Sequence, residues 1–172
     1  MTSRYAKATT VPVERSKAEI ERTLTRYGAT KFAYMTQLDA AMIGFTVHGR
    51  QIRFILPLPD KNDMVFWRTP KRLYDRTLVE AEKAWEQACR QRWRSLALAV
   101  KSKLETVEAG IATFEQEFLS YTLLPDGQTA GEWLLPQVEE AYRLNLMPEM
   151  LPMLSGGQEP KMLREGNHVN QD

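Results

Sequence analysis

Cysteine and histidine are scarce in this chain of 172 residues, which has one cysteine, Cys89, and two histidines. A single thiol cannot close an internal disulfide or supply a cysteine-based metal site. His48 stands in a predicted turn and His168 in the C-terminal tail, and neither has an evident second group to hold it for base catalysis or metal binding. We therefore expect a protein that is not an enzyme and that uses no metal or cofactor.

Long apolar runs and glycine-rich phosphate loops are also missing. No run approaches the roughly 18 residues of a membrane-spanning helix, and the N-terminal segment lacks the apolar stretch of a signal peptide. The stretch "SGGQEP" has neither a predicted strand before it nor a predicted helix after it, so it reads as a linker. We expect a cytoplasmic protein without a membrane partner.

Charge is distributed unevenly along the chain, although the net charge is only +1. Residues 48–103 contain thirteen Lys/Arg and six Asp/Glu, whereas residues 104–172 contain three Lys/Arg and twelve Asp/Glu. The basic middle either faces an anionic partner or is neutralised by the acidic end of the same chain. The sequence leaves both alternatives open.

The N-terminal part predicts a helix followed by a small antiparallel sheet. Ser16 and Glu19 have the spacing of a capping box, which predicts a helix over 16–27. "KFAYMTQ", "AMIGFTV" and "QIRFILPL" are typical of strands, and a two-residue turn at His48-Gly49 can join the last two. That turn places Phe45 opposite Ile52 and puts the apolar residues of both strands on one face.

A loop of about twenty residues, 57–77, separates this sheet from a helical half, and loops of that length are usually functional or disordered. Residues 78–120 then carry one apolar stripe at helical spacing, which Gly110 bends or divides. Its members are Trp85, Cys89, Trp93, Leu96, Val100, Leu104, Val107, Ile111, Phe114, Phe118 and Tyr121. We expect Cys89 to be a buried core residue because it lies between two tryptophans on this stripe.

The C-terminal part begins with a turn, "LLPDGQT", in which Gly127 adopts positive φ. Thr129 and Glu132 form a second capping box and open a helix to about residue 145, with Pro136 inside it. The fold class is α+β: an N-terminal helix with a three-stranded antiparallel sheet, then a long helix or helical hairpin and a C-terminal helix. We expect a single domain over 1–154, loosely ordered at 1–12, and a disordered tail at 155–172.

A cationic stripe follows one flank of the long predicted helix. Lys83, Arg90, Arg94 and Lys101 fall within about 40° of one another at 100° per residue. No carboxylate occurs between Glu86 and Glu105. Long cationic side chains often lay their stems along a core, so a structural role is an open alternative to phosphate binding.

The long loop adds cations interleaved with aromatic residues, a combination suited to phosphate contact and base stacking by Trp67 or Phe66. The candidate nucleic-acid-binding or partner-binding residues are Arg53, Lys61, Trp67, Arg68, Lys71, Arg72, Arg76, Lys83, Arg90, Arg94 and Lys101.

Several segments resemble a family of small proteins encoded by bacteriophages and prophages. They are "VPVERSKAEIERTLTRYGA", "GRQIRFILPLPD", "EKAWEQACRQRWRSLALAVKSKLETVEAGIATFEQEF" and "LLPDGQTAGEWLLPQVEEAY", which together cover about residues 10–154. The resemblance brings no catalytic residues. It implies a mobile genetic element, a bacterial cytoplasm and an accessory role.

Two classes of function fit these observations. The first is a non-enzymatic phage protein that binds DNA or RNA through the basic loop and helix. The alternative is a host-directed inhibitor, of the anti-defence or anti-CRISPR kind, that binds a host protein complex. A homo-oligomer formed through the apolar stripe of the long helix is a third and weaker idea.

Overall fold

Three antiparallel strands form the sheet in the structure, a computed structural model that describes residues 6, 8–69 and 74–146. The strands β1 (Thr30–Thr36), β2 (Ala40–Val47) and β3 (Arg50–Pro57) lie side by side in chain order. Phe45 pairs with Ile52, which confirms the predicted register. His48 and Gly49 both have positive φ, 47° and 75°, as a two-residue type I′ turn requires.

One face of the sheet carries the core. Phe45 and Phe54 lie on that face with their ring centroids 6.3 Å apart, and alternate residues along both strands are buried with them. The opposite face is half-covered at Met42, Thr46 and Arg53. The strict alternation along β2 is the reason that the pairing register could be predicted.

Helix α1 (Val13–Arg26) begins three residues earlier than predicted. The prediction that Ser16 and Glu19 form a capping box at its start was therefore wrong. Pro12 is the N-cap residue, and its fixed φ suits the start of a helix. Ser16 lies inside the helix, where its hydroxyl is buried. Glu19 is used in a tertiary contact instead, an ion pair with Arg94.

The long helix α3 (Leu78–Glu108) ends well before residue 120. Gly110 adopts a φ of 69°, a left-handed conformation that favours glycine and that stops the helix. A capping box at Thr113 then starts the short helix α4 (Phe114–Phe118). The break turns Ile111 outward to 78% exposure, so its placement on the apolar stripe was wrong.

Helices α1 and α3 cover the core face of the sheet. Ile20 and Leu24 of α1 meet Trp93, Val100 and Leu104 of α3 in one buried cluster with the inner residues of β2 and β3. The part of the apolar stripe from Trp93 to Leu104 is therefore covered within a single chain. Helix-to-helix assembly stays a prediction.

The segment between β3 and α3 is more ordered than a plain loop. It contains the one-turn helix α2 (Met64–Trp67), capped by the Asp63 carboxylate, and a bridge between Arg68 and Asp75. Thr77 caps the start of α3. Lys71 and Arg72 lie outside the described residues.

Helix α5 (Ala130–Arg143) begins at the predicted capping box, since Thr129 and Glu132 exchange two hydrogen bonds of 2.7 and 3.1 Å. The chain divides into two compact units, Met1–Leu135 and Pro136–Asp172. In the second unit the described part is mostly helical, and Arg143 forms an ion pair with Glu140. The predicted tail, 155–172, lies outside the described residues.

Candidate nucleic-acid interface

A cationic groove runs between α1 and α3 in the first unit. It has a volume of about 440 Å³. Arg15, Arg22 and Arg26 line it from α1, and Lys101 lines it from α3. Anionic groups are the natural ligands of such a concentration of positive charge.

The helical period of α1 creates one wall of this groove. Arg15, Glu19, Arg22 and Arg26 are separated by steps of four, three and four residues, so they lie on one flank of the helix. At 1.5 Å per residue the wall extends about 16 Å from Arg15 to Arg26.

The two helices run in the same direction, which aligns their charged flanks. Contacts advance together along both: Gln87 donates to the carbonyl of Thr9, and Tyr27 near the end of α1 donates to Glu108 at the end of α3. Lys101 of α3 is thereby held beside the arginines of α1.

Glu19 is the acidic residue of the groove, and Arg94 neutralises it. The two side chains form a half-buried ion pair that ties α1 to α3. By contrast, the four groove cations form no ion pair with any residue in the described parts of the chain. The groove therefore keeps a positive charge of about four that its own carboxylate does not cancel.

The predicted stripe on α3 divides into two kinds of residue. Arg90 and Arg94 are half-buried and occupied: Arg90 donates to the side chain of Gln87 and lies 3.7 Å from Glu86, and Arg94 pairs with Glu19. Lys83 and Lys101 are exposed at the two ends. Lys101 alone of the four joins the groove as an unpaired cation within the described chain.

Two of the predicted binding residues outside α3, Arg53 and Lys61, have structural contacts instead. The Arg53 guanidinium donates to the carbonyl of Gly127 at 3.1 Å and to Glu132 at 2.7 Å. Lys61 pairs with Glu82 at 2.7 Å. Each joins segments that are distant in sequence.

Two of the predicted binding residues of the loop between β3 and α3, Arg68 and Arg76, also form contacts within the chain. Arg76 donates to the carbonyls of Val65 and Phe66, and Arg68 lies 3.8 Å from Asp75. Phe66 is buried and Trp67 is half-buried. Base stacking on Phe66 would require this segment to open.

Three carboxylates at the acidic end of the first unit pair with cations outside the groove. Glu115 pairs with Arg50 on the sheet, and Glu117 pairs with Lys103 at 3.1 Å. Glu132 pairs with Arg53 as described above. Within the described residues of this unit, these carboxylates neutralise the sheet edge and the other flank of α3.

The arginines of α1 were missed by the sequence analysis. Arg15, Arg22 and Arg26 stand seven and four residues apart, the same kind of spacing that identified the stripe on α3. That spacing could have identified the three arginines from the sequence. What the sequence did not contain was the docking of α1 beside Lys101, which turns two separate flanks into one groove.

Other chemistry has little support in the parts of the chain that the structure describes. They contain no cluster of three or more His, Cys, Asp or Glu side chains able to hold a metal. His48 packs edge-on against Phe114, with the ring centroids 5.7 Å apart. Burial raises the pKa of the Cys89 thiol, which disfavours the reactive thiolate. No described helix has the length and apolar character to cross a membrane.

Comparison with known proteins finds no matching family model, no matching curated protein and no matching solved structure. The groove geometry therefore carries the functional argument.

Proposed function

We propose that the protein is a non-enzymatic accessory protein of a phage or prophage that binds nucleic acid through the α1–α3 groove. The observation that carries the proposal is the convergence of Arg15, Arg22, Arg26 and Lys101 on one concave surface, where no carboxylate among the described residues pairs with them. Phosphate oxygens are ligands that guanidinium and ammonium groups bind well, and guanidinium groups bind them in two-pronged fashion.

We expect the groove to prefer double-stranded over single-stranded nucleic acid. Proteins that bind single strands combine cations with aromatic platforms on which bases stack. The lining residues in the part of the chain that the structure describes are Arg15, Glu19, Arg22, Thr23, Arg26 and Lys101, and none of these is aromatic. A duplex presents its phosphates on the outside at about one charge per 1.7 Å of axis, so a purely cationic groove is sufficient to bind it.

The groove also predicts the absence of sequence preference. Contacts to phosphates position a protein on the duplex but do not read the bases. The Glu19–Arg94 ion pair links α1 to α3 and so holds the two cationic flanks at a constant separation.

The test is a titration of fluorescent duplex DNA by anisotropy at several salt concentrations. Four phosphate contacts give a slope of log K against log salt near −3.6, at roughly −0.9 per contact. The affinity should then fall about 150-fold between about 50 and 200 mM salt. Duplexes of unrelated sequence should bind alike.

The decisive variant is Arg22→Gln combined with Arg26→Gln. It removes two of the four contacts, so the slope should fall to about −1.8 and the affinity about 60-fold at roughly 0.1 M salt. The matched control is Lys83→Gln with Arg92→Gln, which removes the same charge from exposed positions of α3 outside the groove. The control should retain most of the parent's affinity.

Equal losses in the two double variants would show that binding depends on net charge and not on the groove. A parent protein that binds no duplex would overturn the proposal. The groove would then suit an acidic surface of a host protein, which is the inhibitor hypothesis.

A further inference from the structure

The two edges of the sheet differ. The outer edge of β3 is covered, because Ile52 bridges to Thr122 and the Leu123 N–H donates to the carbonyl of Gln51 at 2.8 Å. The outer edge of β1 has no such neighbour, since no residue that the structure describes pairs with it. A free strand edge presents N–H and C=O groups that can pair with another chain.

The pairing of β1 with β2 determines which backbone groups are free. The Gln37 N–H donates to the carbonyl of Ala40 at 2.7 Å, at the turn of the β1–β2 hairpin. Hydrogen-bonded positions alternate along an antiparallel strand, so Met35 also bonds toward β2. The N–H and C=O groups of Tyr34 and Thr36 therefore point outward from the sheet.

The usual protection of an edge strand is confined to the start of β1. Charged side chains, prolines and bulges normally keep strand edges from pairing. Lys31 has a φ of 55°, and the register shifts between Thr30 and Ala33, so the charge and the bulge both lie at the first residues. From Ala33 to Thr36 the strand is regular, exposed and uncharged. This stretch is open to a further strand.

An apolar row crosses the open face of the sheet and ends at this edge. Met35 pairs with Met42, and Met42 pairs with Ile55. Met35 is 52% exposed and Ile55 is 54% exposed. A strand added beside β1 would cover Met35, and the burial of its apolar surface would favour the pairing.

A second copy of the chain fits the free edge in one register. Groups that point outward have to meet groups that point outward, so Tyr34 can lie opposite Thr36 of an antiparallel second copy. The two-fold axis then passes beside Met35, which lies opposite its own copy. Tyr34 and Thr36 both exchange hydrogen bonds in this arrangement, and the bulge at the start of β1 stays outside the hydrogen-bonded centre.

Charge complementarity favours the same register. Lys31 precedes Met35 by four residues, and Asp39 of the β1–β2 turn follows it by four. Rotation about Met35 therefore brings Lys31 of each copy to the end of the strand where Asp39 of the other copy lies. Neither side chain forms an ion pair with any residue in the described parts of the chain.

We propose that the free edge of β1 is a dimer interface, at which two copies of the chain pair antiparallel and join their sheets into one of six strands. The interface is small, since four regular residues extend about 14 Å at 3.4 Å each. Small interfaces belong to weak and transient complexes. The dimer should therefore form at about 0.1 mM chain and dissociate at about 1 µM.

The test is sedimentation equilibrium of the full chain from about 1 µM to about 0.3 mM, over which the mean mass should rise toward twice that of one chain. Met35→Lys places two ammonium groups opposite each other at the axis, so it should weaken the dimer about tenfold or more. The matched control is Ile55→Lys, the same change at an equally exposed position of the same face, but on β3. The control should keep the dimer.

The register has its own test. Lys31→Glu and Asp39→Lys should each weaken the dimer about tenfold, because two attractive contacts become repulsive, and the double variant should restore it. Amide hydrogen exchange gives a second readout. At high chain concentration the Tyr34 and Thr36 N–H groups should exchange slowly in the parent and rapidly in Met35→Lys.

A parent chain that stays monomeric up to about 0.3 mM would overturn the proposal, as this is weaker than ordinary specific association. Equal weakening by Met35→Lys and Ile55→Lys would also overturn it, because the open face and not the edge would then form the contact. A dimer that Met35→Lys leaves intact, or that the double exchange of Lys31 and Asp39 fails to restore, would do the same. None of these outcomes bears on the nucleic-acid groove, which none of these residues lines.

Discussion

Leu104 and Ile111 provide a direct test of where the long helix ends. Both belong to the apolar stripe predicted from the sequence, and both lose the same three carbon atoms on change to alanine. In the structure Leu104 is 0% exposed and Ile111 is 78% exposed, beyond the glycine that stops α3. Comparing the two variants therefore tests whether the apolar stripe continues past Gly110 or ends before it.

The magnitudes follow from burial. Three buried carbon groups contribute about 2.4 kcal/mol at roughly 0.8 kcal/mol each. The cavity left behind raises the loss for Leu104→Ala to about 3–4 kcal/mol. Ile111 buries only the remaining fifth of its surface, so Ile111→Ala should cost about 0.5 kcal/mol.

The assay is urea unfolding followed by circular dichroism and tryptophan fluorescence, with a thermal melt beside it. At about 2–4 °C per kcal/mol for a protein of this size, Leu104→Ala should lower Tm by roughly 10 °C. Ile111→Ala should lower it by about 1–2 °C. Equal losses in the two variants would refute the assignment of the helix end and place Ile111 in the core.

Three further outcomes are expected. Cys89 is 9% exposed and burial raises the pKa of its thiol, so a thiol reagent should label the native protein far more slowly than the urea-unfolded protein. Gly131→Ala should destabilise the fold by about 1–3 kcal/mol in urea unfolding, because the new Cβ would lie 2.7 Å from the carbonyl oxygen of Ser120. The hydrogen bond from the backbone N–H of Thr129 lowers the pKa of Glu132, so its contribution is present above the ordinary carboxyl pKa and lost as the pH falls below it. Stability should therefore fall between about pH 5 and 3, and less steeply in Glu132→Gln, whereas equal pH dependence in both proteins would contradict this.

The sequence by itself determined the features that depend on neighbouring residues. The alternation of β2 and β3 set the register that places Phe45 opposite Ile52. The pair His48-Gly49 specified a turn with positive φ, and Thr129 with Glu132 specified the start of α5. Such patterns are readable because the period of a strand or helix, and the hydrogen bonds of its cap, involve residues only a few positions apart.

The tertiary structure alone decided which charged side chains form ion pairs within the chain and which stay available to bind a partner. Glu19 resembled a cap residue by its spacing, but the docking of α1 on α3 made it the partner of Arg94. The same docking brought Arg22 and Lys101 to one groove, although 79 positions separate them in the chain. Periodicity assigns a residue to a face of its own helix, whereas pairing between helices depends on how their buried faces pack, and no local pattern encodes that packing.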